Sequence, residues 1–165
     1  MNLMIIESPG KIKKLREIIK NIAPNEAWEI QASIGHIRDL PATGQAEDEI
    51  TTGVKKDFKP VYQLTERGSE VVSKLKKAAS RASAVFLATD PDREGESISW
   101  HLKEALRLKD YVRISFNEIS EQKVKEALSR PGQINYKLVG AQECRRVLDR
   151  LVGYRVSSEL RRQTG

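Results

Sequence analysis

The sequence is poor in cysteine, in aromatic residues and in long apolar runs, and each shortage excludes a class of protein. Cys144 is the single cysteine among 165 residues, so no intramolecular disulfide framework can form and a reducing cytoplasm is the expected location. No apolar run approaches the roughly 20 residues that a membrane-spanning helix needs. The opening residues, MNLMIIESPG, turn acidic too soon for a secretory signal. The sequence therefore predicts a cytoplasmic protein with no membrane contact.

Positive charge is in excess. Lysine and arginine together number 29 against 23 acidic residues, which gives a formal net charge of +6. Such a balance favours an anionic partner, of which nucleic acid is the commonest, although many basic proteins merely carry solvated lysines. The length suits one domain with a real core and a small appendage.

Segments of strand character alternate with segments of helix character. Four short apolar or alternating runs are typical of strands: NLMII, AWEIQAS, SAVFLA and YVRISFN. Four segments with apolar residues at helical spacing predict helices: KIKKLREIIKNI, GSEVVSKLKKAASRA, EGESISWHLKEALRL and SEQKVKEALSR. Residues 35–60 are rich in glycine, proline, threonine and acids, and we expect an irregular excursion there. The alternation predicts an α/β fold with a mostly parallel four-stranded sheet and helices on both faces.

The last segment differs from the rest. AQECRRVLDRLVGYRVSSELRRQTG reads as a helix that carries six arginines and no lysine. We therefore predict one domain over residues 1–130 and the beginning of a second, helical domain over residues 137–165.

Carboxylates crowd the end of the third predicted strand. In LATDPDREGES, Asp90, Asp92 and Glu94 occupy every second position, and Glu7 ends the first strand. Ligands of parallel α/β sheets bind beyond the carboxyl ends of the strands, so these acids are expected to converge there. Hard oxygen donors of this kind suit Mg²⁺, which would offset their mutual repulsion. The alternative is that Asp90 caps the next helix while Glu94 and Glu96 interact with its dipole.

Two further signals are weaker. The stretch ESPGK, residues 7–11, is a turn into a helix whose free N–H groups and Lys11 favour a phosphate. It lacks the G-x-x-x-x-G-K pattern, so an ordinary strand–helix turn explains it equally well. Taken alone, His36 and His101 are more typical of structural or surface histidines than of catalytic ones.

The arginines of the last segment also allow two interpretations. Arg146 and Arg150 lie four residues apart, on one helical face, and Arg145 is placed to pair with Asp149. A solvated charged face is the simpler interpretation. The exclusive use of arginine favours planar, bidentate recognition of phosphate instead.

Six stretches taken together resemble the N-terminal part of bacterial type IA DNA topoisomerases. They occur in that family's order and span nearly the whole chain: IIESPGK, SIGHIRDLP, DFKPVYQL, FLATDPDREGESISWHL, RISFNEIS and AQECRRVLDRLVGYRVSSEL. The resemblance implies that most of the chain is a Toprim domain. Gly10 stands where the family usually has alanine, a departure that touches no charged role.

The resemblance also implies roles for residues around the acidic stretch. It implies a Mg²⁺ site of four carboxylates: Glu7, Asp90, Asp92 and Glu94. Glu7 would in addition donate a proton to the leaving 3′ oxygen. Lys11 and Arg113 would stabilise charge on the scissile phosphate.

A second set of residues matches the family's contacts to single-stranded DNA. These positions are His36, Arg145, Arg146, Arg150 and Arg155. Asp149 would orient an arginine. Arginines along a backbone suit binding that does not read sequence.

The activity that the resemblance implies is relaxation of negatively supercoiled DNA. One strand is cut by a tyrosine, the other passes, and the break is resealed without ATP. The expected cofactor is Mg²⁺, and the expected partners are a single-stranded DNA segment and the remainder of a topoisomerase chain, acting as a monomer at the nucleoid.

The family's tyrosine motif, which resembles YPRTDS, is not found here, so we expect the chain alone to be inactive. The tyrosines present are Tyr62, Tyr111, Tyr136 and Tyr154. The alternatives are a free-standing Toprim module that binds nucleic acid and a Mg²⁺-dependent nuclease.

Overall fold

The computed structural model describes residues 1–164. Eight strands are formed: β1 (Asn2–Ile6), β2 (Trp28–Ala32), β3 (Arg38–Asp39), β4 (Glu49–Thr51), β5 (Val54–Lys55), β6 (Gln63–Leu64), β7 (Ala84–Leu87) and β8 (Val112–Arg113). The helices are α1 (Ile12–Ile22), α2 (Glu66–Arg81), α3 (Arg93–Leu106), α4 (Glu121–Ser129) and α5 (Tyr136–Thr164), with a 3₁₀ turn over Pro9–Lys11. None of these helices is both long and apolar enough to cross a membrane.

The main sheet has four parallel strands in the order β2–β1–β7–β8. The predicted fold class is thus confirmed. The central strand β1 is a continuous apolar run because helices cover both faces of the sheet. Its residues Leu3, Met4 and Ile5 are completely buried.

Successive residues of β1 enter different cores, because side chains alternate across a strand. Leu3 and Ile5 join the core that contains α2, α3 and the first part of α5. Met4 and Ile6 join the core that contains α1 and α4. The carboxyl ends of the strands therefore open between an α3–α5 side and an α1–α4 side.

The strand predicted over YVRISFN is much shorter in the structure. β8 pairs only with β7, in the register Phe86↔Val112 and Leu87↔Arg113, and β7 ends at Leu87. Residues after Arg113 have no strand to pair with, which ends β8. On its outer side the N–H of Arg113 donates to the carbonyl of Gly132 at 3.0 Å, and the N–H of Gly132 donates back at 2.9 Å.

The excursion predicted over residues 35–60 is less irregular than expected. β3 pairs with β6, and β4 pairs with β5, both antiparallel. The β4–β5 turn uses Gly53 at φ +77°, a conformation that glycine adopts without strain.

Helix α5 is held at its beginning and exposed toward its end. Val139 packs in the α3 core, and Val147 packs with Leu40 and Val54 of the excursion. Large apolar side chains farther along are more than half exposed: Leu148, Val152, Val156 and Leu160. The predicted division into two domains stays a prediction.

Candidate functional site

Two predicted site residues meet at the carboxyl edge of the sheet. β1 and β7 are parallel neighbours, so the residues that follow them, Glu7 and Asp90, emerge side by side. The backbone N–H of Asp90 donates to Oε1 of Glu7 at 2.8 Å. Gly95 lies so close to the Asp90 backbone that a Cβ added there would lie 2.7 Å from the Asp90 carbonyl carbon.

The pKa of the Glu7 carboxyl is raised above its ordinary value. Burial is the largest cause, and the negative charges of Asp90, Asp92 and Glu94 raise it further, against the lowering effect of the Asp90 N–H. The other three acids are therefore close enough to Glu7 to repel its carboxylate. A cation at this edge would relieve both the repulsion and the desolvation.

The acids do not point at one spot, contrary to the expectation from their spacing. Asp92 caps α3, with its carboxylate accepting from the N–H of Gly95 at 2.6 Å, so the interpretation that Asp90 is the cap is wrong. The Glu94 carboxylate lies 3.1 Å from Nε2 of His36. Within residues 1–164 no three acids, histidines or cysteines form a ready-made ion site. The free N–H groups at the start of α3 bind Asp92, and the imidazole of His36 binds Glu94, so neither carboxylate turns toward Glu7 and Asp90.

Arg113 lies under the acidic edge and is only 4% exposed. Its Nη2 lies 2.7 Å from Oε1 of Glu96, and its Nε donates to the same oxygen at 2.9 Å. Its guanidinium also donates to four strand-end carbonyls: those of Leu87, Thr89, Asp90 and Ile114. Every donor is thus used inside the protein, a geometry that favours holding the edge in place over contacting a phosphate.

Glu96 was missed as a functional neighbour by sequence reasoning, which assigned it to the helix dipole. It is buried, and it also accepts from the N–H of Asn135 at 3.0 Å, just before α5. The strand context of Arg113, an arginine between apolar residues, was the available signal for a buried partner.

A cavity of about 370 Å³ opens beside Glu7 and Asp90 on the α1 side of the edge. We call it the α1 cavity. Its lining is mixed in character: Ile6, Glu7, Ser8, Lys11, Lys14, Ala88, Asp90, Phe116, Asn117 and Ile119. Lys11 thus lines the same cavity as Glu7 and Asp90, and its role toward a phosphate stays a prediction. Lys14, Phe116 and Asn117 were not predicted.

A second, smaller polar site of about 100 Å³ lies on the α3 side, between α3, α5 and the excursion. His101 is buried there, and burial, with the charge of Arg38, lowers the pKa of its imidazole to about 3. Nε of Arg38 donates to Nδ1 of His101 at 3.0 Å, and the guanidinium lies over Tyr62 and Trp100. His101 is a neutral structural histidine, as expected, whereas sequence reasoning missed Arg38.

Two of the predicted DNA contacts are engaged within the protein. Nε and Nη2 of Arg146 donate to the two carboxylate oxygens of Asp39, both at 2.9 Å. Nη1 of Arg150 donates to the carbonyls of Pro41 at 2.7 Å and Thr52 at 3.1 Å. Together these arginines dock α5 on the excursion.

The remaining predicted DNA contacts lie on the surface. Arg145, Asp149 and Arg155 are exposed, and His36 is exposed beside Glu94. In the described part of α5, Arg145 and Asp149 form no ion pair, contrary to expectation. Fixing two long exposed side chains costs about as much as such a pair gains.

Comparison with known proteins places this geometry in context. The Toprim domain family matches residues 2–119. A protein of Xylella fastidiosa (strain 9a5c) named "DNA topoisomerase I, plasmid" is 56% identical over 165 residues, which are 100% of this chain and 23% of that protein. The structure of full-length topoisomerase I from Thermotoga maritima matches with a TM-score of 0.80 and 38% identity, over 96% of this chain and 26% of that one. The chain thus spans about a quarter of the length of these two relatives.

Proposed function

The chain belongs to the Toprim domain family, and we propose that it is the acidic, Mg²⁺-binding part of a type IA DNA topoisomerase. The complete enzyme would relax negatively supercoiled DNA by transient cleavage of one strand, strand passage and resealing, without ATP. Its substrate would be a single-stranded segment of the duplex. We expect it to act as a monomer in the cytoplasm, at the nucleoid.

The juxtaposition of Glu7 and Asp90 carries this proposal. Two hard oxygen donors meet at the carboxyl edge of the sheet, beside a cavity with room for a hydrated ion. Mg²⁺ usually keeps several waters and takes one or two carboxylates together with phosphate oxygens, so this donor set fits it. Asp92 and Glu94 would complete the site after leaving their present partners. When bound, Mg²⁺ supplies positive charge that orients and stabilises a phosphodiester.

Glu7 has the properties of a proton donor. In the metal-free protein its raised pKa lets the carboxyl bind a proton at a higher pH than an ordinary glutamate does. A bound cation lowers that pKa, so Glu7 would protonate a leaving 3′ oxygen only while Asp90, Asp92 and Glu94, and not Glu7 itself, hold the Mg²⁺. Lys11, which lines the same cavity, would hold a non-bridging phosphate oxygen. Arg113 would act beneath them by fixing the Asp90 carbonyl rather than by touching DNA.

The DNA strand would approach from α5. Arg145 and Arg155 are exposed there, and His36 lies between α5 and the acidic edge. Arg146 and Arg150 would contribute charge from docked positions, and Asp149 would orient a neighbouring arginine. Such contacts bind the backbone without reading sequence.

The four tyrosines do not supply the nucleophile in this proposal. None of them lines the α1 cavity in the part of the chain that the structure describes. Burial raises the pKa of the Tyr62 hydroxyl, which disfavours a phenolate there. The tyrosine would come from the remainder of a longer chain, so the chain alone should neither relax nor nick DNA.

Titration calorimetry with Mg²⁺ tests the metal site. Asp90→Asn should weaken Mg²⁺ binding by about tenfold or more, whereas Asp57→Asn, at an exposed aspartate outside the α1 cavity, should leave it unchanged. Equal affinity in both variants would overturn the metal assignment. Incubation of the chain with negatively supercoiled plasmid and Mg²⁺ should leave the plasmid intact, and relaxation would contradict the proposal.

A second candidate is a nucleic-acid-binding module without chemistry. The engagement of Asp92 with the start of α3 and of Glu94 with His36 favours it, because both carboxylates already have partners. This function predicts DNA affinity that survives Asp90→Asn and falls with salt. A Mg²⁺-dependent nuclease would instead nick the plasmid and lose that activity in Asp90→Asn.

A further inference from the structure

Two lysines, Lys11 and Lys14, line the α1 cavity together with its two acids. Lys11 and Lys14 are both exposed and three residues apart, so they lie on one face of the helical turn. In the described residues neither lysine has an ion pair or side-chain hydrogen bond. Two unpaired ammonium groups beside a cavity favour an anion there.

The rest of the cavity lining has a different chemistry. Ile6, Ala88 and Ile119 are apolar, and Phe116 is half-buried, which leaves part of its ring accessible. The exposed amide of Asn117 adds a donor and an acceptor at the rim. A nucleotide has an anionic phosphate, a flat apolar base face and a hydrogen-bonding base edge, which these three kinds of lining residue match. The cavity volume of about 370 Å³ lies within the usual range for small-ligand sites.

The position of the cavity indicates which part of a bound DNA strand would reach it. The arginine-bearing helix α5 packs on one face of the sheet, and α1 packs on the other, with Glu7 and Asp90 at the edge between them. A strand that leaves α5 and crosses the acidic edge arrives at the α1 cavity. We propose that this cavity holds the nucleotide that follows the Glu7–Asp90 edge along the bound DNA strand. Lys11 and Lys14 would contact its phosphate, and the ring of Phe116 would stack on its base.

This inference rests on the proposed function, and its test separates the two. Binding of labelled single-stranded oligothymidylate to the 165-residue chain is measured by fluorescence anisotropy over a range of salt concentrations. Lys14→Ala should lower the slope of log K against log salt by about 0.7, the effect of one lost phosphate contact on a single strand. Lys13→Ala is the matched control, because Lys13 is exposed on the same helix and does not line the cavity; its slope should stay unchanged.

The base contact has its own variant and control. Phe116→Leu keeps an apolar side chain but removes the ring, and the affinity should fall by about tenfold. Phe58→Leu, at an exposed phenylalanine outside the cavity, should bind as the unaltered chain does. The Lys14 variant changes only a surface side chain, so the test stands even if Phe116→Leu folds poorly.

The outcomes are distinct. If Arg155→Ala weakens binding while Lys14→Ala and Lys13→Ala behave alike, the strand binds at α5 and the cavity inference is overturned. If the unaltered chain binds no oligothymidylate, both the inference and the proposed DNA binding fail. If thymidine monophosphate binds at a Phe116-dependent site without displacing oligothymidylate, the cavity takes free nucleotides, which also overturns the inference.

Discussion

Substitution of Gly95 should disturb the loop that carries Asp90 and Asp92 more than substitution of its other residues. A Cβ at this position would lie 2.7 Å from the carbonyl carbon of Asp90 and 2.9 Å from its nitrogen. Carbon atoms in ordinary contact are about 3.5–4.0 Å apart, so the Asp90 backbone must retreat by about 1 Å in Gly95→Ala. That retreat breaks the bond from Arg113 to the Asp90 carbonyl and the bond from the Asp90 N–H to Glu7.

The magnitude follows from those two bonds. Each involves a charged partner, and such bonds contribute about 1.5–3 kcal/mol. Gly95→Ala should therefore lower the free energy of unfolding by about 3 kcal/mol or more, and lower Tm by about 6–12 °C for a chain of this size. Because the loop carries the proposed metal ligands, Mg²⁺ affinity should fall by about 10–100-fold.

Gly68 provides a matched control. A Cβ there would lie 2.8 Å from the carbonyl carbon of Ile37, an equally close backbone contact outside the acidic edge. Thermal unfolding and Mg²⁺ titration should show that Gly68→Ala loses stability but keeps its Mg²⁺ affinity. A free energy of unfolding for Gly95→Ala within about 0.5 kcal/mol of that of the unaltered chain would contradict this prediction, as would an equal loss of Mg²⁺ affinity in both variants.

Three further predictions concern stability, pH and DNA binding. Arg107 ends α3 at φ +54°, so Arg107→Gly should raise the free energy of unfolding in urea by about 1 kcal/mol, and a decrease would refute the strain. The pKa of His101 is lowered to about 3 in the folded state, so as the pH falls from 6.5 toward 3 the unfolded chain binds a proton that the folded chain does not. Within that window the free energy of unfolding should fall by about 1.4 kcal/mol per pH unit, a contribution that His101→Gln should lack. Burial raises the pKa of Asp39, but the Arg146 guanidinium holds it below its usual range. Asp39→Asn should cost at most about 1 kcal/mol and should tighten single-strand binding by freeing Arg146. The gain should exceed that of the charge-matched Asp57→Asn, at an exposed aspartate away from α5, and equal gains would count against that role.

The backbone framework was predictable because its signals are local. The run over Asn2–Ile6 is apolar throughout, which is what a strand covered on both faces requires. The convergence of Glu7 and Asp90 followed from topology, since parallel strands end at one edge. The length of β8 was not predictable, because it depends on where its neighbour β7 stops.

Side-chain partners were the part that sequence could not supply. Asp92 and Glu94 have the right spacing for a metal site, but in the folded chain Asp92 binds the N–H of Gly95 in α3 and Glu94 lies against His36 of the excursion. Arg113 was expected to face a phosphate, and its burial beside Glu96 depends on the fit of α3 against β8. The role of Lys14 in a cavity required α1 and the segment after β8 to be placed together.

The bridge between Arg113 and Gly132 also bears on aggregation. An open sheet invites a foreign strand wherever an edge presents unpaired N–H and carbonyl groups. At β8 the N–H and the carbonyl of Arg113, which an added strand would have to pair with, are already hydrogen-bonded to Gly132. In the main sheet, pairing with another chain would therefore have to begin at the opposite edge, on β2, where an added strand meets Glu29 and its ion pair with Arg81.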